Sequence, residues 1–409
     1  MIVYLISSYT GINTGRGGHY YSLRTIAEEV ANTEETLIIN VGDFRSPALS
    51  KHTSQVLYVE HHLHNTVLVM RKLIKHLSNL NISAIHSFDR QSIFFGRTLS
   101  YWFEVPLVNT KCGGPSYPKN GGSLAYYPRL HIQTVFHDID KEYFEALSAT
   151  KNVHNIPGRV KLNHDQRGES EEIEQFFADM TVKMMRICRI SQFYYSTIEG
   201  IINLLNRQLK VNLQSKLVII GYVADEEYLL KTKAMIAEAG LADHILLLND
   251  EAHIIEASRF LHYANVVLGT GRSFMEAASY GHLMLAPVSG NSLPALVHQD
   301  NVSLFESHNF STRTPNSSSV DFNFNIDDWL IKINDSKFRE QYSHWIIDRF
   351  HNVYSVEAAA VKYLELYKES ALYERMSFDI VFHFLKLHLS MIKLRIIKRV
   401  RTIKKSLKR

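Results

Sequence analysis

Two glycine-rich segments contain the residue types from which an anion site can be built. The stretch VVLGTGRSFMEAASYG, residues 266 to 281, joins an apolar run to a helix-like run through Gly269, Gly271, Arg272 and Ser273. Glycines leave the backbone bare, so the amides of Arg272 and Ser273 would open a helix with partial positive charge facing a ligand. Arg272 could meet a phosphate with two parallel hydrogen bonds. The spacing Ser273-x-x-Glu276 also matches a capping box, in which Glu276 finishes the helix and binds nothing. On the residues alone the two readings of Glu276 stay open. The second segment, TGINTGRGGHYYS, residues 10 to 22, places Gly11, Gly15, Gly17 and Gly18 between a strand-like and a helix-like run. It suits close approach of backbone amides to a phosphate, with His19 in reach. It is neither a Walker A loop, since Arg16 holds the sixth position from Gly11, nor a dinucleotide fingerprint, since Tyr20 stands where a third glycine belongs.

The elements that must position these loops alternate. Apolar runs at 2–7, 37–41, 84–88 and 107–110 predict strands, and helical spacing at 20–30 and 67–77 predicts helices between them. The rhythm returns with strands at 216–220, 245–248, 266–268 and 283–287 and helices at 226–239 and 252–263. Helices follow over about 338 to 368. Such alternation predicts parallel sheets covered on both faces. The chain has 409 residues, 45% hydrophobic and 21% charged, which predicts a globular protein with more than one core. The expected division is 1–155, 156–335 and closing helices at 336–375 that return to the first domain, then a tail at 376–409. NIPGRV, 155 to 160, is the expected hinge, and Asn309 to Asn325 an expected loop.

Several other residues carry two readings. His86 ends the run AIHSF and is either a site residue or a buried, satisfied histidine. HHLH, 61 to 64, lacks a carboxylate partner and reads as surface. Asp138-Ile139-Asp140 has the triplet of a metal-holding motif but better fits the acidic first turn of a helix. No metal is expected. Two cysteines, Cys112 and Cys188, exclude a disulfide framework and suit a reducing compartment. The N-terminus MIVYLISSYTG reads as a first strand and not as a signal peptide, and no span of apolar residues is long enough for a transmembrane helix.

The stretch HYANVVLGTGRSFMEAASYGHLMLAPVSGNSLPALV resembles the retaining GT-B glycosyltransferases of family 4. That family has a helix, a strand, a glycine loop, E-A-x-x-x-G and a second glycine loop in this order. NIPGRV is similar to its interdomain segment, and RICRISQFYYSTIEGIINLL to its arginine-bearing stretch. The resemblance implies two Rossmann-like domains facing across a cleft and retention of configuration in a metal-independent sugar transfer from a nucleotide diphosphate sugar. It implies that Glu276 holds the ribose, that Arg189 stabilises the departing diphosphate, and that Gly17 and Gly18 lie over it. The departures are specific. Leu268 stands where the family has a first glutamate, Tyr194 and Tyr195 where it has a lysine, and Lys111 where it often has a histidine. Arg272, Lys111 and Lys161 are candidates to replace the lost charge.

The C-terminus, SFDIVFHFLKLHLSMIKLRIIKRVRTIKKSLKR, has ten basic residues and no acid after Asp379. Large apolar residues interleave at helical spacing, which predicts a basic amphipathic helix lying on an anionic membrane. Nucleic acid is not expected, since no recognised module accompanies the charge. Together these readings predict transfer from a UDP- or GDP-sugar, used as co-substrate without other cofactor, to a lipid-linked surface glycan of capsule or lipopolysaccharide type. The expected location is cytoplasmic, at the inner membrane face. A nucleotide-sugar 2-epimerase and a catalytically silent binding subunit are the alternatives.

Overall fold

The computed structural model describes residues 1–10, 15–50, 55–113, 131–148, 152–162, 167–316 and 326–369, with Val381, Leu385, Leu389, Ile392 and Ile396. Gly11, the loop at 114–122, the stretch 317–325 and the rest of the tail lie outside these. The chain divides into two compact units, Met1–Arg159 with Val356 onward, and Val160–Ser355. The first boundary therefore falls within the expected hinge. The second lies further on than expected: the helix Ser336–Arg349 belongs to the second unit, and only Val356–Lys368 returns to the first.

The first unit holds a parallel sheet of β1 (Ile2–Ser8), β2 (Thr36–Gly42), β3 (Gln55–Glu60), β4 (Ala84–Ser87), β5 (Leu107–Lys111), β6 (Ile132–Val135) and β7 (Val153–Asn155). Its order is β3-β2-β1-β4-β5-β6-β7. Successive side chains of β1 alternate between two cores. Ile2, Tyr4 and Ile6 pack on one face with the helices Gly18–Val30 and Val356–Lys368. Val3 and Leu5 pack on the other with Thr66–Leu77 and Ser92–Phe103. Burial on both faces is why the strand reads as an unbroken apolar run.

The second unit holds β8 (Val182–Ile187), β9 (Ser215–Ile220), β10 (Ile245–Leu248), β11 (Val266–Leu268), β12 (Leu283–Ala286) and β13 (Ala295–Leu296), ordered β10-β9-β8-β11-β12-β13. All pair in parallel except β13, which is antiparallel to β12. The helix expected at 252–263 is broken: Glu256 takes a positive φ of 52°, leaving a short helix at Glu251–Ile254 and a 3-10 segment at Ala257–Tyr263. In each sheet the strand order reverses direction once, between β1 and β4 and between β8 and β11. Loops leaving those strands diverge there, and open α/β sheets bind ligands at such points.

Candidate functional site

In the second unit the reversal point brings together loops from β8 and β11. β11 pairs with β8 through Val266–Met184 and Val267–Met185, so the chain leaves the sheet at Leu268 and Ile187 side by side. The β8 loop passes close to Gly221: a Cβ there would meet the Cys188 carbonyl oxygen at 1.8 Å, so only glycine admits this path. The path delivers Arg189 to an exposed position, with its guanidinium 5.6 Å from the Tyr222 ring centroid.

The β11 loop turns at Gly271, which adopts φ 52° and ψ −122° as the residue before the helix Arg272–Ala278. Its amide donates to the Asn309 carbonyl at 3.0 Å. Behind it the rings of Phe274 and Phe310 stack at 3.6 Å, with Tyr354 edge-on to both. Tyr354 donates to Glu306, which also accepts two hydrogen bonds from Arg349. The loop is therefore braced by a packed aromatic cluster with a charged anchor.

The capping box does not form. The helix starts two residues earlier than that reading requires, with Gly271 and not Ser273 before it, and Ser273 turns back on the loop instead. Its hydroxyl donates to the Thr270 carbonyl at 3.0 Å and accepts from the Thr270 amide at 3.1 Å. The Glu276 carboxylate accepts from Arg272 Nε at 2.8 Å, one turn away, and both side chains keep part of their surface exposed. Leu268, where the resembled family has its first glutamate, is a buried residue at the end of β11.

Sequence reasoning missed Arg186. It lies inside β8, fully buried, three residues before Arg189. Its guanidinium donates to the Leu268 carbonyl at 2.9 Å, to Thr197 Oγ1 at 3.0 Å and to Thr270 Oγ1 at 3.3 Å. The alternation along Val182–Ile187, which buries Met184 and Arg186 together, was the available signal. Burial pushes the neighbouring Cys188 thiol up, against the pull of the Arg186 charge.

The first unit treats its candidates differently. His86 is buried with both ring nitrogens engaged, Nδ1 with the Tyr367 hydroxyl and Nε2 with Thr110 Oγ1, each at 2.7 Å. Burial holds its pKa well below the ordinary imidazole value, so it stays neutral. The catalytic reading of His86 is corrected accordingly: a ring sealed from solvent and bonded on both sides cannot reach a substrate. Lys111 is corrected for the same reason. Its ammonium is buried against Asp140, which also accepts from His137 Nε2 at 3.0 Å. These partners hold the Asp140 carboxyl below the usual carboxylate range despite its burial. Asp138 and Asp140 open the helix Asp138–Ser148, as the acidic-turn reading expected. His61 corrects the surface reading of HHLH, being buried between the Tyr9 hydroxyl at 2.7 Å and Thr66 Oγ1 at 2.8 Å.

Gly17 precedes the helix Gly18–Val30, whose start carries no side-chain cap and no acid in its first turn. Gly18 is exposed, and the His19 ring folds back to lie 2.9 Å from where a Gly17 Cβ would stand. Across the reversal point sits Asp89, also unforeseen. It accepts from the amides of Ser7, Gln91 and Ser92 and from the Ser7 hydroxyl. Burial nevertheless pushes its carboxyl up. Among the described residues no group of three or more His, Cys, Asp or Glu side chains is placed to hold a metal, and no helix is long and apolar enough to cross a membrane.

No protein-family model and no curated protein sequence matches the chain. Solved structures do. A glycosyltransferase from Rickettsia africae is 12% identical with a TM-score of 0.65, over 91% of this chain and 98% of its own. Anabaena HepE in complex with UDP is 13% identical with a TM-score of 0.62, over 89% and 98%. A candidate UDP-N-acetylglucosamine 2-epimerase of Listeria monocytogenes is 12% identical with a TM-score of 0.52, over 89% and 94%. At these identities the likeness is one of fold, and the fold, two Rossmann-like units with parallel sheets, is that of GT-B glycosyltransferases and their epimerase-like relatives.

Proposed function

We propose that the protein is a glycosyltransferase that takes a sugar from a nucleotide diphosphate sugar and passes it to a hydroxyl of a glycan acceptor, with retention and without a metal. The observation that carries this reading is the β8–β11 reversal point, where Arg189 lies on the loop that leaves β8 and Arg272 and Glu276 lie on the helix that follows the β11 loop. A departing nucleoside diphosphate gains negative charge, and fixed cations aimed at it lower the barrier. Glu276 takes the ribose once Arg272 swings to phosphate. HepE, with its bound UDP, favours a UDP-sugar as the donor.

The test is a thermal-shift series with UDP, GDP, ADP, CMP and dTDP on the purified protein, followed by turnover with the matching sugar. One nucleotide should raise the melting temperature by mass action. Arg189→Ala should abolish transfer while leaving the melting temperature of the unliganded protein in place, because its side chain is exposed. Unchanged turnover removes Arg189 from the mechanism, and epimerisation without any acceptor overturns transfer altogether.

The tail supports a lipid-linked acceptor. Its described residues Val381, Leu385, Leu389, Ile392 and Ile396 are helical and exposed, at spacings that put them on one face. The surrounding sequence is basic throughout, so the occupant that fits is an anionic bilayer at the cytoplasmic side. The full chain should float with vesicles containing anionic lipid and not with neutral ones, and removal of 376–409 should end this. Flotation unchanged by the deletion refutes the membrane role.

A further inference from the structure

Arg186 carries a positive charge where no water reaches it. The groups that receive its hydrogen bonds are a carbonyl and two hydroxyls, all neutral. The Tyr194 ring lies 5.8 Å from the guanidinium carbon. Among the described residues no carboxylate pairs with it; the thiol of Cys188 lies beside it, and its buried Nε–H meets no oxygen or nitrogen acceptor. The buried ammonium of Lys111 is differently placed, against the Asp140 carboxylate. A buried cation that lacks an anion is costly, and so is an orphaned donor. Dipoles from three oxygens soften that cost without cancelling the charge.

The contacts also have a direction. Leu268 is the last residue of β11, Thr270 is the middle residue of Gly269-Thr270-Gly271, and Thr197 lies on the helix Gln192–Lys210 that follows the Arg189 loop. A single rigid fork thus ties the β11 loop to the helix that follows the β8 loop. Lysine could not do this, having one nitrogen on a flexible stem.

We propose that Arg186 is the positioning residue of this site: it fixes the Gly269–Gly271 loop and supplies the buried charge that a diphosphate on that loop balances. The proposal rests on the nucleotide-sugar reading and specifies which part of the ligand Arg186 serves. It acts through the loop and through its field, beneath Arg189 and Arg272, which face the ligand. Phosphate-bearing ligands should therefore depend on it and uncharged nucleosides should not.

The experiment is calorimetric titration of the full chain and of Arg186→Met, Arg186→Lys and Thr270→Val with UDP, GDP, their nucleosides and inorganic pyrophosphate. Arg186→Met should lose at least about tenfold in affinity for the nucleoside diphosphate and for pyrophosphate, while nucleoside affinity holds within about twofold. Arg186→Lys should recover part of the loss, because it restores charge without the fork. A folded Arg186→Met that binds the diphosphate as the parent does overturns the proposal. If Arg186→Met does not fold, Thr270→Val decides, since it removes one arm of the brace at a half-buried position. It should weaken pyrophosphate several-fold and spare the nucleoside, and unchanged pyrophosphate affinity overturns the proposal. A parent chain that binds pyrophosphate but no nucleotide, with the effect lost in Arg186→Met, upholds Arg186 as an anion residue and sinks the nucleotide-sugar reading. A parent chain that binds neither sinks both.

Discussion

The two sheets reverse their strand order in the same way but use their polar residues for opposite ends. Around β4 and β5 the candidate residues His86 and Lys111 are matched by neighbouring side chains. His86 bonds Tyr367 and Thr110, Thr110 meets Thr134 at 2.6 Å, and Asp140 joins both Lys111 and His137. Around β8 and β11 the account does not close internally. Arg189 is exposed, the Arg272–Glu276 pair is reached by solvent, and Arg186 has charge without a counter-charge. A polar group already matched within the core contributes to folding; one left unmatched at a strand end is available to a ligand. Residue type alone therefore says little about role. A lysine and a histidine that look chemical serve the core, and an arginine hidden in a strand serves the site.

The comparison can be broken most decisively at Lys111. Lys111→Met leaves Asp140 buried without its ammonium and should cost about 3–5 kcal/mol in urea unfolding of the first unit. A loss below about 1 kcal/mol would mean the pair is not a closed core contact. Glu276→Gln should do the reverse. Its ion pair is one turn long and partly exposed, so stability should change by no more than about 0.5 kcal/mol. Nucleotide affinity should fall about tenfold or more. A variant that melts early with its affinity intact would give Glu276 back to the helix.

The smallest effect concerns acid. His86 is neutral in the fold, with its pKa held below the ordinary value of 6.5 by burial. Below that pH the unfolded chain takes up a proton that the folded chain refuses, so stability falls as pH drops. His86→Gln lacks this term. The stability gap between parent and variant should narrow from pH 7 to pH 5, and a constant gap would mean the imidazole is not held neutral.

Much of the fold was legible because β1, β9 and β12 each contain an unbroken apolar run, Ile2–Ile6, Leu217–Ile220 and Leu283–Ala286, and the breaks between elements are rich in glycine and polar residues. The central strand β8 was not, because Val-Lys-Met-Met-Arg-Ile mixes two cations and two methionines with its β-branched residues. The same strand hid Arg186, whose role exists only once Leu268 and Thr270 are known to stand beside it. β3 was missed as well, since its apolar run is only four residues long, Val56 to Val59, and lies at the sheet edge with none of its side chains fully buried. For Glu276 the motif offered a cap that a two-residue shift in the helix start forbids, and only the geometry at Gly271 decides that. His86 and Lys111 failed for a common reason: the sequence shows what a side chain can do, while its neighbours determine whether it is free to do it.

The return of Val356–Lys368 to the first unit sets an order of events during synthesis. Val356, Ala359, Ala360, Tyr363, Leu366 and Tyr367 belong to the same core as Ile2, Tyr4 and Ile6. The ribosome makes all seven strands of that sheet and then the whole second unit before it makes this cover. At about 5–20 residues per second the wait is on the order of 10–40 s. The second unit, continuous from Val160 to Ser355, can close as soon as it emerges. The first must hold one apolar face, with Tyr4 and His86 lacking Tyr367, until the last helix arrives. The later-made half of this protein is thus the first able to finish folding, and the earlier-made half waits with part of one face uncovered.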